Sequence, residues 1–415
     1  MNFIAVIILI TIIAEYLFGF VLDVLNLKVL QNELPEAFEG IYDPERYRIA
    51  QDYLRVNTRF GWITATFSLL IILGFWLLKG FPLLDQWIRS MNQGPVISGL
   101  IFMGVLIFIR SLLLLPFSIY DTFVIEERFG FNKTTWPTFI KDGIKVLLLS
   151  IVLGGPLLAG ILWFFEYAGG HAWWFCWLAV TLYALIAQIV VPTWIMPLFN
   201  RFDPLEDGEL KQAIMSCAHT ISFPLENVFV MDGSKRSGKS NAFFSGFGKH
   251  KRIVLYDTLI KQQTTPELVS VLAHEMGHYK KKHILQTLLL GIIEMGVMFF
   301  LLSLFISYQG LFDAFYMENR SVYGGLIFFG MLYSPLGFFV GIFFKMYSRK
   351  NEYEADQFAI QATGDSQPLI MALKKLSVEN LSNLIPHPWY VFFHYTHPPV
   401  LERIKVLSKN EKKTF

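Results

Sequence analysis

Seven stretches of the chain approach the about 20 apolar residues that a helix needs to cross a hydrocarbon core about 30 Å thick. They run from Phe3 to Leu22, Gly61 to Leu78, Val96 to Phe117, Ile144 to Phe165, Ala172 to Met196, Ile284 to Tyr308 and Val322 to Phe344. This pattern predicts an all-α multi-span membrane protein. The first stretch lacks a basic segment ahead of it, contains Glu15 and shows no small-residue cleavage site, so it reads as a retained span and not as a signal peptide.

Between the fifth and sixth apolar stretches lies a long polar segment, Arg201 to His283. Asp203, Pro204, Glu206, Asp207 and Gly208 read as a turn and a helix start, and Gly208 to Ser222 has helical spacing. Val228 to Asp232 and Arg252 to Tyr256 are short β-branched and aromatic runs separated by Gly- and Ser-rich turns, which predicts a small hairpin packed on a helix. Thr265 to Lys282 is helical again, with Thr264 or Thr265 as N-cap, Pro266 in the first turn and Glu267 close behind.

Charge orients the spans. Lys28, Arg46, Arg48, Arg55 and Arg59 follow the first stretch, Arg128, Lys133 and Lys141 follow the third, and the Arg201 to His283 segment and the tail after Lys345 are basic throughout. With seven spans these four regions share one side, and the other holds Lys79, Arg89 and Arg320. The positive-inside bias then puts the C-terminus in the cytosol and the N-terminus outside.

Composition narrows the class. Of 415 residues, 54% are hydrophobic and 16% charged, against about 25% charged in a soluble domain, which excludes an ordinary soluble enzyme. A balance of 35 Lys and Arg against 33 Asp and Glu gives no reason to expect a nucleic-acid partner. Cys176 and Cys217, in an apolar and a polar block, predict no disulfide, no Cys-based zinc site and no Cys-His nucleophile. Glu15, Arg110 and Glu294 fall inside apolar spans. A charge facing lipid costs at least a few kcal/mol, so they either glue helices together or face a water-filled space, and sequence leaves both readings open.

The chemistry concentrates in His274, Glu275, Met276, Gly277 and His278, an H-E-x-x-H sequence inside the last predicted polar helix. Four residues make about one turn, so both imidazoles leave one helix face and can bind one Zn²⁺ while Glu275 approaches the water it activates. A catalytic zinc needs a third protein ligand. Glu352 and Asp356, after the seventh span and on the same side, are spaced i, i+4, so one carboxylate can bind metal while the other steadies a ligand histidine. Glu354 competes for the ligand role but lies on a different face, so Glu352 is preferred. His397, ahead of Pro398 and Pro399, offers a polarising group for an oxyanion, and Arg403 a cation to steady the carboxylates. His250, His283, His387 and His394 are weaker candidates; His283, nine residues past His274, is expected to face away.

Gly233 to Ser240 formally matches the phosphate loop G-x-x-x-x-G-K-S. The glycine-punctuated aromatic run after it makes a poor helix, so a hairpin loop is expected there and no nucleotide.

Several passages together resemble the type I CAAX prenyl proteases, integral-membrane zinc endopeptidases. They are TFVIEERFGFNK from Thr122, PLFNRFDPLEDGEL from Pro197, GSKRS from Gly233, SNAF from Ser240, KRIVLYDTL from Lys251, the H-E-x-x-H, Glu352 to Asp356, and His397 to Pro399. The resemblance runs in order from about Asp121 to Leu407. It implies a seven-helix transmembrane barrel around a large water-filled chamber, capped on the cytosolic side by a small α+β zinc metalloprotease unit. It also implies that Glu352 is the third ligand, Glu275 the general base, and Asn241 and His397 neighbours of the bound peptide. Gly238 and Lys239 depart from the Ser- and His-containing loop usual in the family, and the stretch before the H-E-x-x-H is short; neither touches the ligands.

The reading is therefore one Zn²⁺ per chain on His274, His278 and Glu352, with Glu275 and His397 catalytic, Asp356 and Arg403 behind the ligands, and Asn241 at the substrate. The expected organisation is 1–200 for spans one to five, 201–283 for the H-E-x-x-H segment, 284–347 for spans six and seven, and 348–415 for the segment carrying the third ligand. The expected partners are a peptide or protein substrate, possibly prenylated, and membrane lipids. The expected location is the endoplasmic reticulum in a eukaryote or the inner membrane in a bacterium; Lys412 to Phe415 has the form of a dilysine retrieval signal. The rivals are a membrane quality-control protease with the same chemistry, and a transporter or channel with a structural zinc.

Overall fold

The computed structural model describes residues 2–31, 33–225, 227–245 and 252–411, with the backbone alone for Ser245, Asn410 and Glu411. His250, Lys251 and the Lys412 to Phe415 tail lie outside the described residues.

Seven helical segments are long and apolar enough to span a membrane: Phe3–Lys28, Pro44–Leu77, Pro95–Glu126, Trp136–Tyr167, Gly169–Leu198, His283–Phe305 and Val322–Thr363. The expected number holds, and most helices overrun the apolar stretches that announced them. Hydropathy registers only the length matched to hydrocarbon, whereas a capped helix continues into water. Asp43, for example, caps the second segment by accepting a hydrogen bond from the Arg46 backbone N–H at 3.0 Å. The seventh is one helix of 42 residues, roughly 63 Å long, twice what the hydrocarbon requires. Glu352 and Asp356 therefore ride on the span itself, and the expected boundary at 347/348 falls inside a continuous helix.

Only 6% to 11% of the residues in the most apolar window of each span are buried. Helices packed on a solid core would each bury a stripe of side chains; these surround open space, which makes the bundle a barrel around a chamber. An aromatic plug closes one end, where Trp76, Phe81, Phe312, Phe315 and Phe328 are all buried and Phe315 stacks on Phe328 at 4.0 Å. The Trp76 indole N–H donates to the Ala314 carbonyl at 2.8 Å, tying span two to the turn between spans six and seven. Arg89, on the helix Gly80–Arg89, donates to the Arg320 carbonyl at this same end.

The four basic regions meet at the other end. Arg46 pairs with Glu379 at 2.6 Å, Arg236 grips Asp142 with two hydrogen bonds of 2.7 and 3.1 Å, and Lys239 pairs with Glu126 at 2.9 Å. The His387 backbone N–H donates to Asn26 at 3.0 Å. Loops far apart in sequence thus close over the chamber.

The polar segment corrects the expected hairpin. Its four strands are β1 (Phe202–Pro204), β2 (Asn227–Met231), β3 (Ala242–Ser245) and β4 (Arg252–Tyr256), in the order β1-β2-β4-β3. The two strands expected to form the hairpin, β2 and β4, run parallel. The chain between them is long enough to contribute β3, which pairs antiparallel with β4 and leaves β4 central, as its buried Ile253, Val254 and Leu255 require. The phosphate-loop lookalike consequently leads into an edge strand and not into the helix N-terminus that a phosphate would need. Its Lys239 is spent on Tyr53 and Glu126, its Arg236 on Asp142.

Glu15, Arg110 and Glu294 do not meet. Tyr333 donates to Glu294 at 2.9 Å, Arg110 lines an apolar cavity of about 370 Å³ between spans two and three, and Glu15 is exposed. Among the described residues no hydrogen bond or ion pair joins any two of them.

Candidate active site

The H-E-x-x-H helix, Thr265–Lys280, starts where its sequence says it must. Thr264 caps the N3 backbone while Glu267 reaches back to the Thr264 N–H at 2.7 Å, a reciprocal capping box with Pro266 in the first turn. One face, through Leu268, Leu272 and Met276, packs on the sheet with Ile253 and Leu255. The two flanks of that face, through Val271 and Ala273, join a second cluster with Ala359 and Leu369. Held from both sides, the helix cannot rotate, and His274 is fixed toward span seven.

That crossing is close. A Cβ on Gly277 would lie 3.2 Å from the Ala355 Cα and 3.1 Å from the Phe358 ring. Ligand groups on the two helices therefore converge: one donor atom each from His274, His278 and Glu352 lies within 4.8 Å of the others. The two Nε2 atoms are 3.2 Å apart, and the Glu352 carboxylate is 3.4 Å from His274 and 3.3 Å from His278. Glu352 is 4% exposed, and its buried Oε2 makes no hydrogen bond among the described residues. Two imidazoles and a carboxylate crowded around one point, with one buried acceptor making no hydrogen bond among the described residues, are groups arranged for a cation.

The surroundings point the same way. His274 Nδ1 donates to Asp356 at 2.9 Å, and the Arg403 Nε donates to the other Asp356 oxygen at 2.8 Å. Arg403 also stands 3.5 Å from Glu352. Burial works against charge on His274, but the Asp356 and Glu352 carboxylates beside it outweigh it and push the pKa up to about 9. Burial likewise opposes the Arg403 charge, and the Asp356 carboxylate and its neighbours hold it above the usual value. Glu275 is also shifted upward, but through burial, which for a carboxylate favours the neutral form; it makes no hydrogen bond among the described residues and is free to hold a proton.

His397 also arrives here, its Nε2 3.3 Å from Glu352, and burial pulls its pKa below the ordinary histidine range. Asn241 sits at the head of edge strand β3, where its side chain accepts from the Ala242 N–H at 2.9 Å. His387 and His394 lie elsewhere, at the two ends of the helix Pro388–His394. Both cysteines are free and buried.

One expectation is overturned. His283 does not face away: its Nδ1 is 3.1 Å from His278 Nδ1 and its Nε2 is 3.2 Å from Glu354. Counting turns from His274 fails because the helix ends at Lys280 and Lys282 takes a left-handed backbone, φ 61°, before span six begins.

A cavity of about 480 Å³ opens on His278, His283 and Asn351. It shares Gln188 and Ile284 with an apolar groove of about 730 Å³ lined by Val180, Ala184 and Ala187 of span five and by Phe243 and Phe244 of β3. On span five the opposite face, Leu178, Leu182, Ile186 and Ile189, is at least half exposed. The groove face is thus the inward one.

Comparison with known proteins gives consistent matches. Residues 23–201 match the profile described as CAAX prenyl protease N-terminal, five membrane helices, and residues 204–411 match peptidase family M48. The CAAX prenyl protease 1 homolog of Arabidopsis thaliana is 36% identical, with 97% of each chain covered. CAAX prenyl protease 1 of Saccharomyces cerevisiae is 34% identical, covering 93% of this chain and 91% of its own. The crystal structure of S. mikatae Ste24p superposes with a TM-score of 0.93 at 33% identity, covering 98% of this chain and 99% of that one.

Proposed function

The chain belongs to peptidase family M48, among the CAAX prenyl proteases, and is a membrane metallopeptidase acting on CAAX proteins; from that premise we propose that it holds one zinc ion on His274, His278 and Glu352 and cleaves prenylated peptides near their C-terminus. The observation that carries the reading is the convergence of those three donor atoms within 4.8 Å of one another, with the buried Oε2 of Glu352 making no hydrogen bond among the described residues. Nitrogen and oxygen donors in this number leave a position open, as a catalytic zinc needs. Bound there, a zinc ion would supply Lewis acidity, which brings the pKa of water toward about 7 and polarises a carbonyl.

The chain's own residues supply the rest. Glu275 accepts the proton of the attacking water on its carboxylate and delivers it to the leaving amine nitrogen, a transfer its upward-shifted pKa favours. His397 donates from Nε2 to the oxyanion that forms at the carbonyl. Asp356, locked by Arg403, fixes the tautomer of His274 so that Nε2 faces the metal. Asn241 and the free edge of β3 hold the peptide, and the apolar groove behind them receives its prenyl chain. Two units do this work, 201–283 and 348–415, mounted on spans 1–200 and 284–347. The basic regions gathered at the metal end support a cytosolic active site and C-terminus, in the endoplasmic reticulum of a eukaryote or the inner membrane of a bacterium, with lipid around the spans.

Offering one C-terminal CAAX peptide, with and without its prenyl group, to the purified protein tests this. Chelator-sensitive cleavage that favours the prenylated form is expected. Equal rates on both forms would favour a quality-control peptidase, and no cleavage of either would remove the hydrolase reading.

A further inference from the structure

The two histidines of the H-E-x-x-H sequence are supported differently. His274 has a carboxylate directly behind it, Asp356 at 2.9 Å. Behind His278 stands another imidazole, His283, and behind that Glu354. Glu352, Glu354 and Asp356 all come from one stretch of span seven, and the odd member, on the other face of the helix, returns to the site through His283.

We propose that His283 and Glu354 form a positioning relay that fixes the tautomer and ring orientation of His278. The proposal rests on the metal reading above, and the argument is a proton count. A neutral imidazole carries one N–H. His278 Nε2 faces Glu352 and His274 Nε2, where a metal ligand must present a lone pair, so its proton sits on Nδ1. That Nδ1–H points at His283 Nδ1, 3.1 Å away, which must then accept. The His283 proton is consequently on Nε2, aimed at the Glu354 carboxylate at 3.2 Å. Each group has one role, and no donor or acceptor in the chain is duplicated. The rings meet edge to face, 73° apart with centroids 5.2 Å from each other, so His278 cannot swivel without breaking the contact. His283 is 3% exposed, and Glu354, partly exposed, is steadied by Lys350 at 3.6 Å. The left-handed turn at Lys282 is what lets His283 double back under the helix it follows.

The test is zinc affinity of the full-length protein, measured by competition with a chromophoric chelator, alongside the visible spectrum of the cobalt(II)-substituted protein. His283→Phe keeps the ring volume without the hydrogen bonds and should weaken zinc about 10-fold to 100-fold, as loss of a partner behind a ligand histidine does. Its cobalt spectrum should shift. Glu354→Ala should weaken binding less, and Glu354→Gln, whose amide oxygen can still accept from Nε2–H, should recover most of that loss. Combining Glu354→Ala with His283→Phe should add nothing to His283→Phe alone, because both break one chain. Should His283→Phe fail to fold, the contrast between Glu354→Ala and Glu354→Gln decides, since Glu354 lies at the surface. Wild-type affinity and an unchanged cobalt spectrum in His283→Phe and Glu354→Ala would overturn the relay. If the wild-type protein itself binds no zinc, the metal reading fails, and with it the premise of the relay.

Discussion

At the scale of single residues, neighbours decide what each carboxylate does. Glu352, Asp356, Glu354 and Glu275 all lie among the clustered histidines, yet Asp356 is neutralised by Arg403, Glu354 accepts from His283 and stands near Lys350, and Glu352 faces two imidazole nitrogens. Glu275 alone makes no hydrogen bond among the described residues, and burial raises its pKa. A carboxylate kept free and reluctant to ionise is the one suited to carry a proton. Glu275→Gln should therefore retain about one zinc per chain while turnover falls by roughly 10² to 10⁴ or more. Metal analysis beside a peptide assay checks it; activity at the wild-type level would deny Glu275 the proton-transfer role.

At the scale of elements, the site is a crossing of two helices, and Gly277 sets how closely they approach. Alanine is favoured over glycine inside a helix by about 1 kcal/mol, so a loss of stability on Gly277→Ala would have to come from the contact with Ala355 and Phe358. Overpacking of this kind costs about 1 to 3 kcal/mol. Gly277→Leu should separate the helices enough to dissociate Glu352 from the histidine pair, seen as sub-stoichiometric zinc and a lowered Tm; full zinc at wild-type affinity would mean that the crossing does not set the ligand distance. The elements themselves were unevenly legible. Span number and an N-cap at Thr264 or Thr265 followed from local pattern, because hydropathy and caps are properties of short segments, whereas the partnership of Glu352 with the H-E-x-x-H needed the return of the chain through two spans and the family resemblance. Strand order was not legible, since the apolar runs of β2 and β4 are compatible with parallel or antiparallel pairing and the intervening β3 is short. His283 was misread because helical counting was carried across Lys282, a residue whose left-handed backbone no propensity announces.

At the scale of the whole molecule, a barrel closed by aromatic packing at one end and by a protease unit at the other leaves apolar space beside the site, where the prenyl chain of the proposed substrate would lie. Span five divides its two faces accordingly: Leu178, Leu182, Ile186 and Ile189 on the side exposed to the surroundings, Val180, Ala184 and Ala187 toward the groove. The small residues are on the inner face, where they make room and leave an apolar space of about 730 Å³, within the range of pockets that enclose a ligand. Gln188 and Ile284 join this space to the cavity at His278, so a chain lying in it would share an opening with the metal ligands. Filling the groove should then separate lipid recognition from chemistry. Ala187→Trp should raise KM for a prenylated peptide about tenfold or more, because about 25 cal/mol per Å² of apolar burial is lost wherever the prenyl chain is displaced. The same variant should leave zinc content unchanged and cleave the unprenylated peptide at the wild-type rate. Parallel losses on both peptides would mean that the substitution had disturbed the site itself, and an unchanged KM for the prenylated peptide would place its lipid elsewhere in the chamber.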